Sequence, residues 1–208
     1  MNSRRVLVGL LAIGLTSVLT SQVISQDKGG EKSKIPDPGS EMDKMMKEYE
    51  KLLEPGPRIK SLASLIGDWN CTVKMWQGPG GPMEESKGTM KRQWVLDNHC
   101  MQENYDGTAM NKPFKGMGIF GYDNLKKQYY SVWFDTMITS YVTQTGQPDA
   151  TGKVITMTGK FDDPMTRTEQ TMKSVLTIDS DSKHTFVTYG AGPDGKEFKA
   201  MEIVSTRK

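Results

Sequence analysis

Arg92 and Glu103 carry the charges whose placement matters most in this 208-residue sequence. Lys87, Thr89, Lys91 and Gln93 alternate with Met90, Arg92, Trp94 and Leu96. Successive side chains of a strand point to opposite faces, so if the first set meets water the second, Arg92 included, points inward. Pairing Leu96 with Met101 across a turn at Asp97 sets Trp94 opposite Glu103, Arg92 opposite Tyr105, and Arg92 diagonal to Glu103. A lone buried charge costs roughly several kcal/mol, so these two groups must be paired, water-bridged or ligand-bound. One reading is a structural ion pair. The other is a binding site built from Arg92, Trp94, Glu103, Tyr105 and Trp133, with Arg92 offering a bidentate fork to a carboxylate and the rings supplying apolar walls.

The remaining chemistry-bearing residues form no catalytic pattern. The histidines are His99 and His184, and neither they nor the cysteines have metal-ligand spacing, so no metal or other cofactor is expected. His184 opens a strand pattern, which suggests a surface position; haem ligation from inside a barrel is the minor alternative. His99 reads as a turn residue. Gly-x-Ser-x-Gly and phosphate-loop motifs are absent from the sequence. Gly116, Gly118 and Gly121 have nucleotide-loop spacing but run into a turn and a strand, not a helix. Asp162-Asp163 and Asp179-Ser180-Asp181 read as turns. Cys71 and Cys100 could bond in an oxidising compartment, but Cys71 shares the parity of Trp69 whereas Cys100 sits at a turn with the parity opposite to Met101, which points them to different faces.

Ten β-prone runs must position these groups: 68–76, 87–96, 100–106, 115–122, 128–135, 138–146, 154–161, 167–179, 184–190 and 196–208. Separators such as Gln77-Gly78-Pro79-Gly80-Gly81-Pro82, Asp97-Asn98-His99 and Pro193-Asp194-Gly195 are turn chemistry. Connections this short join antiparallel neighbours. Closing the strands into an up-and-down barrel removes both open edges; a two-layer sandwich is the alternative. In the hairpin 114–135, pairing Tyr122 with Tyr129 puts Gly118 beside Trp133, so the ring covers strand backbone. Both hairpin faces are apolar, which predicts an interior on one side and a covering element on the other. Asp135, Thr139 and Tyr141 fall near one barrel mouth or end strands.

Ahead of the barrel domain, 58–208, residues 40–55 form an expected amphipathic helix capped by Ser40 and stopped by Pro55-Gly56-Pro57. Its Met42, Met45, Met46, Tyr49, Leu52 and Leu53 recur on one side, and packing against the domain is expected. Residues 26–39 are a polar Gly, Pro and Lys-rich tether. Arg4-Arg5 followed by the uncharged run 6–19 matches a signal peptide, with cleavage after Ser25 and export to the periplasm or medium. Arg4-Arg5 also fits a twin-arginine signal. Cleavage leaves 25 basic against 25 acidic residues, no basic stripe for nucleic acid or anionic lipid, and no membrane span.

Taken together, Leu62-x-x-Leu65-x-Gly67-x-Trp69, Gly88-Thr89-Met90-x-Arg92-x-Trp94, Pro113-Phe114-x-Gly116-x-Gly118-x-x-Gly121-Tyr122-Asp123, Trp133-x-Asp135, Asp163-Pro164-Met165-Thr166 and Asp194-Gly195-Lys196-Glu197-Phe198-Lys199 resemble domain of unknown function 1579. The resemblance covers about residues 54–208 and departs from the family pattern at Asn98-His99, Cys71 and Cys100. It implies a lipocalin-like β-barrel of exported bacterial proteins and assigns no catalytic residue. Gly67-x-Trp69 also resembles the first-strand signature of lipocalins, which implies that Trp69 closes the barrel base. The functional expectation is a barrel binding a small apolar or amphipathic molecule, with a filled structural barrel as the alternative and an enzyme on the same scaffold as a third.

Overall fold

The structure, a computed structural model, describes residues 38–164 and 166–208. The expected signal peptide, and the tether up to residue 37, lie outside them. α1 (Pro38–Leu53) is followed by α2 (Pro57–Lys60), a 3-10 turn (Ser61–Leu65) and the strands β1 (Gly67–Trp76), β2 (Met83–Val95), β3 (Cys100–Ala109), β4 (Lys112–Asp123), β5 (Gln128–Asp135), β6 (Val142–Pro148), β7 (Val154–Asp163), β8 (Thr168–Ser180), β9 (Lys183–Ala191) and β10 (Glu197–Arg207). Each strand pairs antiparallel with its sequence neighbours and β1 pairs with β10, so the barrel is closed and up-and-down. Closure satisfies every sheet edge.

The base of the barrel is plugged from below. α2 and the 3-10 turn bury Ile59, Leu62 and Leu65 against Met101, Phe120, Tyr129, Ile155 and Leu176. Trp69, fully buried, donates Nε1–H to the Leu65 carbonyl at 2.8 Å, and the Arg207 guanidinium lies 4.3 Å from its ring. Arg207 also donates to the carbonyls of Ser64, Ile66 and Asp181, stitching plug, β10 and the β8–β9 turn together. Trp69 is therefore structural, as the lipocalin likeness implied.

The β4–β5 hairpin has the expected register, with Tyr122 opposite Tyr129 and Gly118 opposite Trp133. A Cβ on Gly116 would come within 2.1 Å of the Trp133 ring, so only a glycine fits beneath it. The inner face is buried, but the outer face is not covered: Met117 and Phe134 are each 40% exposed. The covering element expected there is absent among the described residues. α1 has the expected apolar side, yet all its described residues are exposed, so the expected packing of the helix does not occur. Its C-terminal carbonyls are held instead, Leu53 by His99 Nε2 at 2.8 Å and Leu52 by Asn124 Nδ2 at 3.0 Å.

Three local expectations are corrected. The β2–β3 pairing puts Trp94, not Leu96, opposite Met101. Leu96, Asp97 and Asn98 all have left-handed φ and make a wider turn than the sequence suggested; Leu96 is 76% exposed, not inward. β6 starts at Val142, not 138, because Asp135 Oδ1 accepts from the Met137 and Ile138 amides and turns the chain. His184, expected at the surface, is 1% exposed: it shares an inward parity with Phe186 and Thr188 on β9.

A candidate ligand site inside the barrel

The two-residue register shift decides the site. Arg92 and Glu103 become direct cross-strand partners, and both side chains point into the barrel. Arg92 Nε donates to Glu103 Oε2 at 2.9 Å, with the arginine 6% and the glutamate 18% exposed. On its other side Arg92 Nη1 meets His184 Nε2 in a very short contact. The ring nitrogen accepts there, so the proton sits on Nδ1, which has no partner. Burial first, then the Arg92 and Arg207 charges, push the His184 pKa down from 6.5 to about 3, so the ring is neutral at any physiological pH. Trp69 packs on it edge-on, 4.3 Å between centroids.

Above this layer the barrel is hollow. A cavity of about 330 Å³ runs towards the end marked by the β3–β4 turn and the β5–β6 connection. Arg92, Glu103, Tyr105, Trp133 and Asp135 line it, together with seven methionines that include Met75, Met172 and Met201. Met75 and Met201 face each other across β1 and β10. Methionine side chains are unbranched and polarizable, so such a wall adapts to differing apolar shapes. A larger depression of about 560 Å³ crosses the outer face between Lys91, Asn104, Lys115 and Phe134, but it is open to solvent and holds no buried charge. The cavity inside the barrel is therefore the candidate site.

Four of the five residues expected to bind ligand, Arg92, Glu103, Tyr105 and Trp133, meet on this wall. Trp94 does not: it packs on the filled base, with Met101 as its cross-strand partner. Tyr105 lies beside Phe114, 5.8 Å between ring centroids, and burial chiefly pushes its hydroxyl pKa up to about 12. Trp133 Nε1 donates to Asp135 Oδ2 at 3.1 Å, which anchors the ring at the mouth. Thr139 and Tyr141 are exposed and outside the cavity wall. His184 is the component that sequence reasoning missed; the alternation His184, Phe186, Thr188 on β9 was the available signal.

Chemically the arrangement can hold a polar group but is not set up for nucleophilic attack. Cys71, Ser205 and His184 follow one another across β1, β10 and β9. Cys71 Sγ lies 3.4 Å from Ser205 Oγ, but burial dominates and pushes the thiol pKa up, leaving it protonated. His184 turns its accepting nitrogen to Arg92 and is not on the cavity wall, so the haem-ligand alternative has no geometric support. Cys100, also buried and free, sits on the opposite side of the sheet, in line with its strand parity. Among the described residues no cluster of His, Cys, Asp and Glu could hold a metal ion.

Comparison with known proteins places this barrel. Residues 54–207 match the family described as protein of unknown function DUF1579, and the chain belongs to that family. No curated protein matches the sequence. Among solved structures the barrel is similar to Rv2717c from M. tuberculosis, with TM-score 0.56 and 14% identity over 74% of this chain and 99% of that one. The S-type phycobiliprotein lyase CPES from Guillardia theta gives TM-score 0.49 and 10% identity over 72% and 91%. At 14% identity the likeness to Rv2717c is one of fold.

Proposed function

We propose that this DUF1579 protein is an exported binding barrel that holds a small amphipathic molecule, its apolar body among the methionines and rings and its polar group at Arg92 and Glu103. The observation that carries the reading is a charged pair set into a mostly apolar cavity of about 330 Å³ inside the barrel. Pockets of this kind, apolar with a few convergent polar groups, suit orientation of a ligand. At ~30 Å³ per water-sized group the space suits a molecule of about a dozen non-hydrogen atoms. A barrel that was only a structural module would gain nothing by leaving this volume empty, since unfilled interior costs stability. Export rests on Arg4-Arg5 and the uncharged run that follows.

Protein purified from its own host without denaturant is expected to carry, in native mass spectra, a bound mass of roughly 150–200 daltons, the mass of about a dozen non-hydrogen atoms. The emptied protein should gain thermal stability on adding octan-1-ol. Absence of a bound mass, with no thermal shift from octan-1-ol, octanoate or octylammonium, would remove the binding reading. N-terminal sequencing of the secreted form should begin at Gln26, and a chain still starting at Met1 in the extracellular fraction would remove the cleavage assignment.

A further inference from the structure

The charges on the cavity wall also speak to the class of polar group, an inference that rests on the binding reading above. Arg92, Glu103 and Asp135 are the charged residues that line the cavity. Arg92 is already neutralised by Glu103 at 2.9 Å, and His184 behind it adds no charge. Asp135, at the mouth, is engaged by Trp133 Nε1 at 3.1 Å and by the Met137 and Ile138 amides at 2.8 and 3.3 Å. With one cation and two carboxylates, the wall has no positive charge to spare.

An incoming carboxylate therefore meets one of two costs. Either it displaces Glu103 from Arg92 and leaves that carboxylate buried and unpaired, or it stays unpaired itself. An ammonium group beside Glu103 gains little, because Glu103 is already held by Arg92, whose charge repels it. Asp135, the carboxylate without a counter-charge, stands at the mouth with its oxygens already accepting from Trp133 Nε1 and the Met137 and Ile138 amides. What the wall does offer is uncommitted hydrogen-bonding capacity. Among the described residues Arg92 Nη2 and Glu103 Oε1 make no hydrogen bond to protein. Tyr105 and Thr188 also line the wall, but their hydroxyl oxygens are buried out of a ligand's reach, that of Tyr105 over Gly88 and Gly107, so the capacity open to a ligand is that of Arg92 and Glu103. A hydroxyl can both donate to Glu103 and accept from Arg92 without bringing a charge into the barrel.

We propose that the barrel selects an uncharged polar head, a hydroxyl or carbonyl group on an apolar body of about ten atoms, and that Glu103 is the residue that sets this specificity by neutralising Arg92. Glu103→Gln keeps the shape and the acceptor but removes the neutralising charge, so the same pocket should turn towards anions.

The test is calorimetric titration of the emptied, secreted protein at pH 7.5 with octan-1-ol, octanoate and octylammonium. Octan-1-ol should bind at least about ten-fold more tightly than either ion, a difference of ~1.4 kcal/mol. In Glu103→Gln the ratio of octanoate to octan-1-ol affinity should rise at least about ten-fold. If wild-type protein binds octanoate or octylammonium as tightly as octan-1-ol, the neutral-head inference is overturned while the binding reading stands. An unchanged ratio in a folded Glu103→Gln variant overturns the role given to Glu103. Should that variant not fold, the wild-type ratios decide. If none of the three probes binds while native mass spectra show a bound mass, the neutral-head inference falls and the binding reading stands; if no bound mass is found either, both fall.

Discussion

Arg92→Met is the perturbation that tests the buried polar cluster most directly. It removes the 2.9 Å charge-assisted bond to Glu103 and the contact to His184 Nε2, and leaves both partners inside the barrel. Two unit charges about 4 Å apart at an effective dielectric of ~20 attract by ~4 kcal/mol. Breaking a buried pair from one side costs about 3–5 kcal/mol, because the remaining charge has lost its counter-charge. A domain whose total stability is about 5–15 kcal/mol would survive this, but with a visibly lower urea midpoint. The informative partner is the double variant Arg92→Met with Glu103→Gln, in which no charge remains to be compensated. It should lie within about 1–2 kcal/mol of wild type, so that the two changes are non-additive by at least ~2 kcal/mol. Urea unfolding followed by fluorescence of the four tryptophans provides the assay, with equal m-values as the check that the folded state is unchanged. If Arg92→Met costs under ~1 kcal/mol, or if the double variant loses the full sum, the pair is not the coupled interior unit described above.

Acid should act through His184. Its pKa is depressed, so the stability it contributes is present above 6.5 and is lost as pH falls towards about 3. The fall corresponds to about 5 kcal/mol at most. His184→Phe should flatten the acid limb of the stability profile between these values, and an unaltered limb would count against a neutral buried ring. Gly118→Ala should place a Cβ 2.7 Å from Glu103 Oε1 and 3.0 Å from Trp133 Cε3. A loss of about 1–3 kcal/mol is expected on thermal unfolding, and wild-type stability would show that Glu103 can move freely. Leu96→Asn should stabilise by up to ~1 kcal/mol, since Leu96 holds φ 52 while 76% exposed and asparagine tolerates that conformation; a lowered melting temperature would contradict this.

Much of the barrel was legible because its signals are local. Alternation along 87–96, turn residues such as Asp97-Asn98-His99, and glycines opposite a tryptophan each depend on a few neighbouring positions, so the strand order and the Tyr122–Tyr129 register follow from the chain read alone. The cluster was legible only in outline. Arg92 and Glu103 could be assigned inward faces by parity, but their direct pairing depends on the width of the 96–99 turn, where three consecutive residues adopt positive φ. Nothing short of the folded turn reveals that, since leucine rarely takes the left-handed region. His184 was misread because its strand begins beside the β8–β9 turn, where a lone polar residue commonly faces water.

From sequence alone came the closed antiparallel class, the glycine-tryptophan contacts and an interior that includes an arginine and a glutamate. These are consequences of a two-residue side-chain period and of turn chemistry, which act over short stretches. Only the tertiary structure decided that Arg92 stands between Glu103 and His184, that Trp94 belongs to the filled base, and that the half above it is hollow. Each of those depends on how ten strands close on one another. The cavity is the small difference between the volume the barrel encloses and the volume its inward side chains occupy, a quantity that no single stretch of chain carries.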